Sequence, residues 1–230
     1  MDAIIMAAGL GTRLRPHTLT TPKPLLPIRG RPILDWALGA LPKPVTRVIV
    51  VVHYLADQVE AYLRTQSHFK KWETVEQKQP RGTGDAVRGC QDKVMSDRFL
   101  VLNGDDLYGA ADLAHLADGG PGLLVHEVDE PRRFGIAFPR PDGTLEKLVE
   151  KPDLDGKHMA NTGAYLFPRR VFDIELKLSP RGEYEVTDYV SELARKEPVR
   201  VVQTKFWLPM GTEETWKKAQ EMDLEKVMTR

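Results

Sequence analysis

A single cysteine, Cys90, stands in 230 residues. That excludes an internal disulfide and suits a chain expected in a reducing cytoplasm. An excess of either charge is missing too: 33 lysines and arginines balance 33 aspartates and glutamates. No net field draws the chain toward nucleic acid or an anionic membrane, so any anion it binds must be held by a local cluster. No apolar run approaches bilayer length, and no basic-then-apolar leader opens the sequence. The six histidines are scattered without metal-ligand spacing, and His53 reads as a strand-end residue. The composition therefore points away from nucleic acid, from membrane and from a histidine metal centre.

What is present is an alternation. "RVIVVVH" (47–53) and "RFLVLNGDD" (98–106) are short β-branched runs of the kind buried on both faces of a sheet, as is "GLLVHEV" (122–128). "LADQVEAYLRT" sets Leu55, Val59 and Leu63 at helical spacing. Strands alternating with helices predict a mainly parallel sheet covered on both faces. After Asp129 the pattern changes. "GIAFPRPDGTLEKLVEK" predicts a hairpin turning at Pro141-Asp142-Gly143. A strand "NTGAYLF", a helix "EVTDYVSELARK", a strand "VRVVQTK" and one amphipathic helix "TEETWKKAQEMDLEKV" follow. That last helix, with Trp216, Leu224 and Val227, packs either inward or against a second copy, which leaves a homo-oligomer open.

Directly after the first strand comes a loop of small and basic residues, "MAAGLGTRLRPHTLTTPKPLLPI" (6–28). A dinucleotide fingerprint would need a third glycine where Leu14 stands, and a Walker loop would need Gly-Lys-Ser/Thr where Gly11-Thr12-Arg13 stands. Gly9 and Gly11 still permit close backbone approach to a phosphate, and Arg13 and Lys23 supply charge, one as a fork and one as a point. In sheets of this kind ligands bind beyond the carboxyl ends of the strands, where this loop and "NGDD" both emerge.

The run Ala7-Ala8-Gly9-x-Gly11-Thr12-Arg13-Leu14, followed by Pro22-Lys23-Pro24-Leu25-Leu26-Pro27-Ile28, resembles the signature of the sugar-1-phosphate nucleotidylyltransferases. The resemblance continues in order through "NGDDLYG", "FGIAF", "VEKP", "NTGAYLF" and "GEYEVTD", covering nearly the whole chain. It implies a three-layer α/β/α, Rossmann-like domain over 1–230, with a nucleotide-binding part of about 1–120 and a partly antiparallel sugar-binding part of about 121–230. It implies that Ala7, Ala8, Gly9, Gly11, Thr12, Gln77, Gly82 and Thr83 surround the nucleotide. Arg13 would neutralise the β- and γ-phosphates, and Lys23 would bridge the α-phosphate and the sugar phosphate. Asp105 would hold magnesium, while Gly135, Glu150, Lys151, Asn161 and Thr162 would hold the sugar phosphate. The implied reaction joins a nucleoside triphosphate to a sugar 1-phosphate and releases pyrophosphate. A Gln77 amide, one donor and one acceptor, suits the O4 and N3–H edge of uracil or thymine. Gln79 competes for that place, and guanylyl or cytidylyl transfer is the alternative.

One position departs from the family pattern. Where a second metal-binding aspartate is usual, Trp207-Leu208-Pro209-Met210-Gly211-Thr212 has Pro209, with neither charge nor N–H. Three outcomes stay open: a magnesium ion held by Asp105, phosphates and water; replacement by Asp106 or Glu213; or a non-catalytic homologue that binds nucleotide sugars. An active enzyme of this kind should need much magnesium. Trp207 itself reads as a packing residue.

Overall fold

Ala3, Ile5 and Ala7 belong to one buried cluster, and Ile4, Met6 and Ala8 to another. The two-residue period of a strand thus sends alternate side chains into two cores, one on each side of the sheet. In the computed structural model, which describes residues 1–228, the first strand is β1 (Asp2–Met6). The loop after it ends in a small ribbon, β2 (Pro27–Ile28) with β3 (Arg31–Pro32), and leads into α1 (Ile33–Ala40). Then come β4 (Arg47–Val52), α2 (Ala56–Thr65), β5 (Trp72–Glu76), α3 (Thr83–Arg88) and β6 (Arg98–Asn103). β7 (Asp106–Tyr108), α4 (Ala110–Ala117) and β8 (Gly122–Val128) precede the antiparallel pair β9 (Gly135–Pro139) and β10 (Leu145–Glu150). The remainder is β11 (His158–Pro168), α5 (Val186–Lys196), β12 (Arg200–Gln203), β13 (Trp207–Pro209), α6 (Glu213–Glu221) and α7 (Glu225–Met228).

The main sheet runs β10-β9-β11-β6-β1-β4-β5, with β8 on β11 and β12 beside β8. From β6 through β1 and β4 to β5 all pairings are parallel, and β11 turns the sheet mixed. Val59 and Leu63 of α2, with α1, α4 and α7, cover one face; Ala86 and Val87 of α3, with α5, cover the other. The three α/β/α layers are as expected. So is the hairpin: Gly143 takes φ 80°, and the Asp142 carboxylate accepts from the Thr144 N–H at 2.9 Å. The final helix is a correction. It breaks between α6 and α7, because Met222 is extended and Leu224 turns inward to full burial against the core. Trp216 donates its indole N–H to the Pro27 carbonyl at 3.0 Å, so this segment packs on its own fold.

The chain leaves β1 to build β4 on one side and returns to place β6 on the other. That makes the β1–β6 carboxyl edge the switch point where loops diverge and a ligand fits.

Candidate active site

Two chambers open at this edge, and Lys23 and Asp105 line both. Lys23 sits in a tight turn whose preceding residue, Pro22, is extended, and only 7% of it is exposed. Its Nζ lies 2.5 Å from Asp105 Oδ2, although the two stand 82 residues apart. Asp105 comes from the turn that ends β6. Burying an ammonium costs solvation, and such a partner offsets part of that cost.

The smaller chamber, about 320 Å³, gathers Ala7, Ala8, Gly9, Lys23, Gln77, Gly82, Thr83 and Asp105. Gln79 does not line it. Gly11 and Thr12 do not line it either. Gly11 has φ 63°, a side chain there would stand 2.9 Å from Thr18 Cγ2, and the Thr18 hydroxyl donates to the Gly11 carbonyl at 2.8 Å. Its part is to shape the loop. Gly82 has φ 105°, and a side chain there would meet the Tyr184 carbonyl at 2.3 Å. The run "GEYEVTD" ahead of α5 is tied to this turn: the Gly84 N–H donates to that carbonyl, and the Thr83 hydroxyl accepts the Val186 N–H at 3.0 Å. Gln77 differs from expectation. Its Nε2 donates to Gly82 O at 3.0 Å and to Asp85 Oδ2 at 3.2 Å, so the amide is not left with a donor for a base.

The larger chamber, about 690 Å³, takes Arg13, Asn161 and Thr162 together with Lys23 and Asp105. A side chain at Gly211 would stand 3.4 Å from the Arg13 guanidinium, which is exposed and has no carboxylate partner among the described residues. Asn161 is held by its own strand: Nδ2 donates to the Tyr165 hydroxyl at 2.7 Å, and Oδ1 accepts the Gly163 N–H. Gly135, Glu150 and Lys151 line neither chamber. Gly135 and Glu150 face each other across β9 and β10, and Glu150 approaches Arg181 at 3.6 Å. Lys151 is exposed in a left-handed conformation.

Pro209 lies opposite Asp106 in the β7–β13 ribbon, on the wall of the larger chamber. Asp106 is buried, and its carboxylate accepts from Asn103 Nδ2 at 3.2 Å, Met210 N–H at 3.1 Å and Trp207 Nε1 at 3.4 Å. Burial and the neighbouring Asp105 charge push its carboxyl up to about 7. Trp207 is the packing residue expected, and it also orients this acid. Glu213 pairs with Lys217 at 2.8 Å. Among the described residues no three acidic, histidine or cysteine side chains gather as a metal cage. Asp105, a hard oxygen donor beside a chamber, fits a magnesium ion that keeps waters and takes its other oxygens from phosphates.

Residues 2–226 match the family model described as nucleotidyl transferase. The chain belongs to this family. Within the nucleotidyl transferases it is 34% identical over 214 residues to the bifunctional protein GlmU of Methanocaldococcus jannaschii, covering 92% of this chain and 51% of that one. It is 34% identical over 203 residues to the low-salt glycan biosynthesis nucleotidyltransferase Agl11 of Haloferax volcanii, covering 84% and 57%. The chain thus spans about half the length of the curated relatives it matches. A solved structure from Bacillus anthracis, assigned as a glucose-1-phosphate thymidylyltransferase, superposes with a TM-score of 0.84 at 29% identity, over 96% of this chain and 94% of that one. A UDP-glucose pyrophosphorylase complexed with UDP-glucose shares the fold, with a TM-score of 0.86 over 98% of each chain at 23% identity.

Sequence reasoning about this chain gave no role to Asn103, which lines both chambers and braces Asp106, nor to His126, Arg133 and Phe134 on the larger chamber. Asn103 could have been found as the polar end of an otherwise apolar strand. The other three lie where β8 ends and β9 begins; Phe134 opens the run "FGIAF", and nothing local marks His126 or Arg133.

Proposed function

We propose that this chain transfers a nucleotidyl group from UTP or dTTP to a sugar 1-phosphate, forming an NDP-sugar and pyrophosphate. The observation that carries the reading is the pair of buried Lys23 and half-buried Asp105 at the junction of two chambers, one able to take a nucleotide and the other a sugar phosphate. A sugar-phosphate oxygen attacks the α-phosphorus in line. The bond to the bridging oxygen breaks, and its electron pair leaves with pyrophosphate. The attacking oxygen is already anionic, so no protein base is required; positioning and charge neutralisation do the chemistry. Lys23 faces the α-phosphate and the incoming phosphate, and Arg13 the departing pyrophosphate. Asn161 and Thr162 orient the sugar in the larger chamber. Asp105 would hold a magnesium ion, which would supply further positive charge at the phosphates and, with a single carboxylate, would bind weakly.

A panel of nucleoside triphosphates against sugar 1-phosphates, read by phosphate release with pyrophosphatase, tests this. Release with UTP or dTTP and at least one sugar ester is the expected result. Turnover only with GTP or CTP would move the base assignment. Pro209 favours a second reading, a non-catalytic protein that binds nucleotide sugars. Tight NDP-sugar binding with no turnover in ample magnesium would establish it.

A further inference from the structure

Gln77 follows β5 and forms part of two walls, one in the smaller chamber and one in a cavity of about 440 Å³ that Asp85 also lines. Both partners of its Nε2, the Gly82 carbonyl and the Asp85 carboxylate, only accept. The amide therefore has one orientation, with nitrogen toward them and Oε1 as the group left for a ligand. Asp85 is itself clamped. Arg81 and Arg88 each donate to its Oδ1 at 2.9 Å, and both guanidinium groups lie over the Tyr184 ring, at 5.8 and 4.7 Å from its centroid. Tyr184 in turn donates its N–H to the Arg81 carbonyl. Burial opposes ionisation of Asp85, but the Gln77 amide and the two arginines outweigh it and hold the carboxyl below its ordinary range.

We propose that Asp85 is a positioning residue for base selection: it fixes Gln77 as a hydrogen-bond acceptor, so the smaller chamber favours a base with a ring N–H, uracil or thymine, over cytosine. This rests on the smaller chamber being the nucleotide site. Uracil and thymine offer N3–H to an acceptor. Cytosine in the same pose offers a lone pair at N3, and two acceptors facing each other repel; its 4-amino group can donate to Oε1 only from a shifted pose. A site built around one hydrogen bond rejects the base that leaves it unmade.

The test is calorimetric titration of UTP and CTP, with magnesium, into the wild-type protein, Asp85→Asn, Gln77→Met and the double variant. Asparagine is isosteric but can donate, which frees the Gln77 amide to turn over. The ratio of CTP to UTP dissociation constants should fall about tenfold in Asp85→Asn, as expected for one hydrogen bond lost at a buried site. In the Gln77→Met background the same substitution should lower the ratio no further. An unchanged ratio in Asp85→Asn, an equal fall in both backgrounds, or a wild type without preference for UTP would overturn the proposal. Should Asp85→Asn not fold, Gln77→Met alone must collapse the ratio, and a retained ratio overturns it. Failure of the wild type to bind any nucleoside triphosphate overturns the chamber assignment instead, which a loss of selectivity alone does not.

Discussion

The two ends of β1 are built on opposite plans. At the amino end, Asp2 accepts two bonds from Arg47 at 3.0 Å and the N–H groups of Met95 and Ser96 at 2.7 and 3.0 Å. The Ser96 hydroxyl oxygen accepts the Asp2 N–H at 2.9 Å, and the terminal ammonium donates to the Pro44 carbonyl. Each of these groups finds its partner inside the protein. At the carboxyl end Lys23 and Asp105 have each other, Arg13 has no carboxylate partner among the described residues, and two chambers stand open. Buried polar groups are ordinarily satisfied. Where a fold leaves charge at a cavity, a ligand completes it. The amino end anchors the strand; the carboxyl end carries the site proposed for substrate.

Lys23→Ala should separate the two ends most sharply. Turnover should fall about 100- to 1,000-fold, the cost of about 2.7–4 kcal/mol when a preorganised charge is removed, with the melting temperature little changed. Steady-state kinetics and a thermal melt check both halves. Asp2→Ala should do the reverse. Leaving the N–H groups of Met95 and Ser96 unpaired should cost about 1–3 kcal/mol of stability, read by denaturant titration, while turnover of the folded fraction stays as in wild type. If Asp2→Ala abolished turnover without loosening the fold, the division between the ends would be wrong.

Acid offers a finer distinction. Burial pushes Asp2 up, but Arg47 and the two N–H groups prevail and take its carboxyl from the ordinary 3.8 down to about 2. A lowered carboxyl stabilises the fold fully above its ordinary value, and that stabilisation is lost as pH falls through about 2. Melts taken from about pH 5 downward should decline less steeply in Asp2→Asn than in wild type over this window. The smallest expected effect is at Pro209. Pro209→Asp adds a carboxylate to the chamber wall that Asp105 and Asp106 share, and should lower the magnesium giving half-maximal turnover by severalfold, on the order of fivefold. An unchanged magnesium titration would mean that this position does not reach the ion.

Much of the fold was legible because its signals are local. The apolar runs 47–52 and 98–103 became β4 and β6, and Pro141-Asp142-Gly143 became the β9–β10 turn. The break between α6 and α7 was not legible, because the periodicity of the segment continues through it. Burial of Leu224 decided it. Ala7, Ala8 and Gly9 line the smaller chamber, whereas the contacts of Gly11 with Thr18 and of Thr83 with Val186 were not legible in the sequence. In sequence Asp106 is one acid of a polar turn and a candidate replacement for the missing aspartate. Only tertiary structure encloses it between β7 and β13 and brings it donors from Asn103, Trp207 and Met210.

By itself the sequence determined the order of strands and helices and the residues that carry charge, since two-residue and 3.6-residue periods act within one segment. Tertiary structure alone decided that Lys23 meets Asp105 across 82 residues, and that Gln77 turns its nitrogen to Asp85. Such pairings depend on which strands lie side by side and on which acceptors a side chain finds there, and neither is a property of any local stretch.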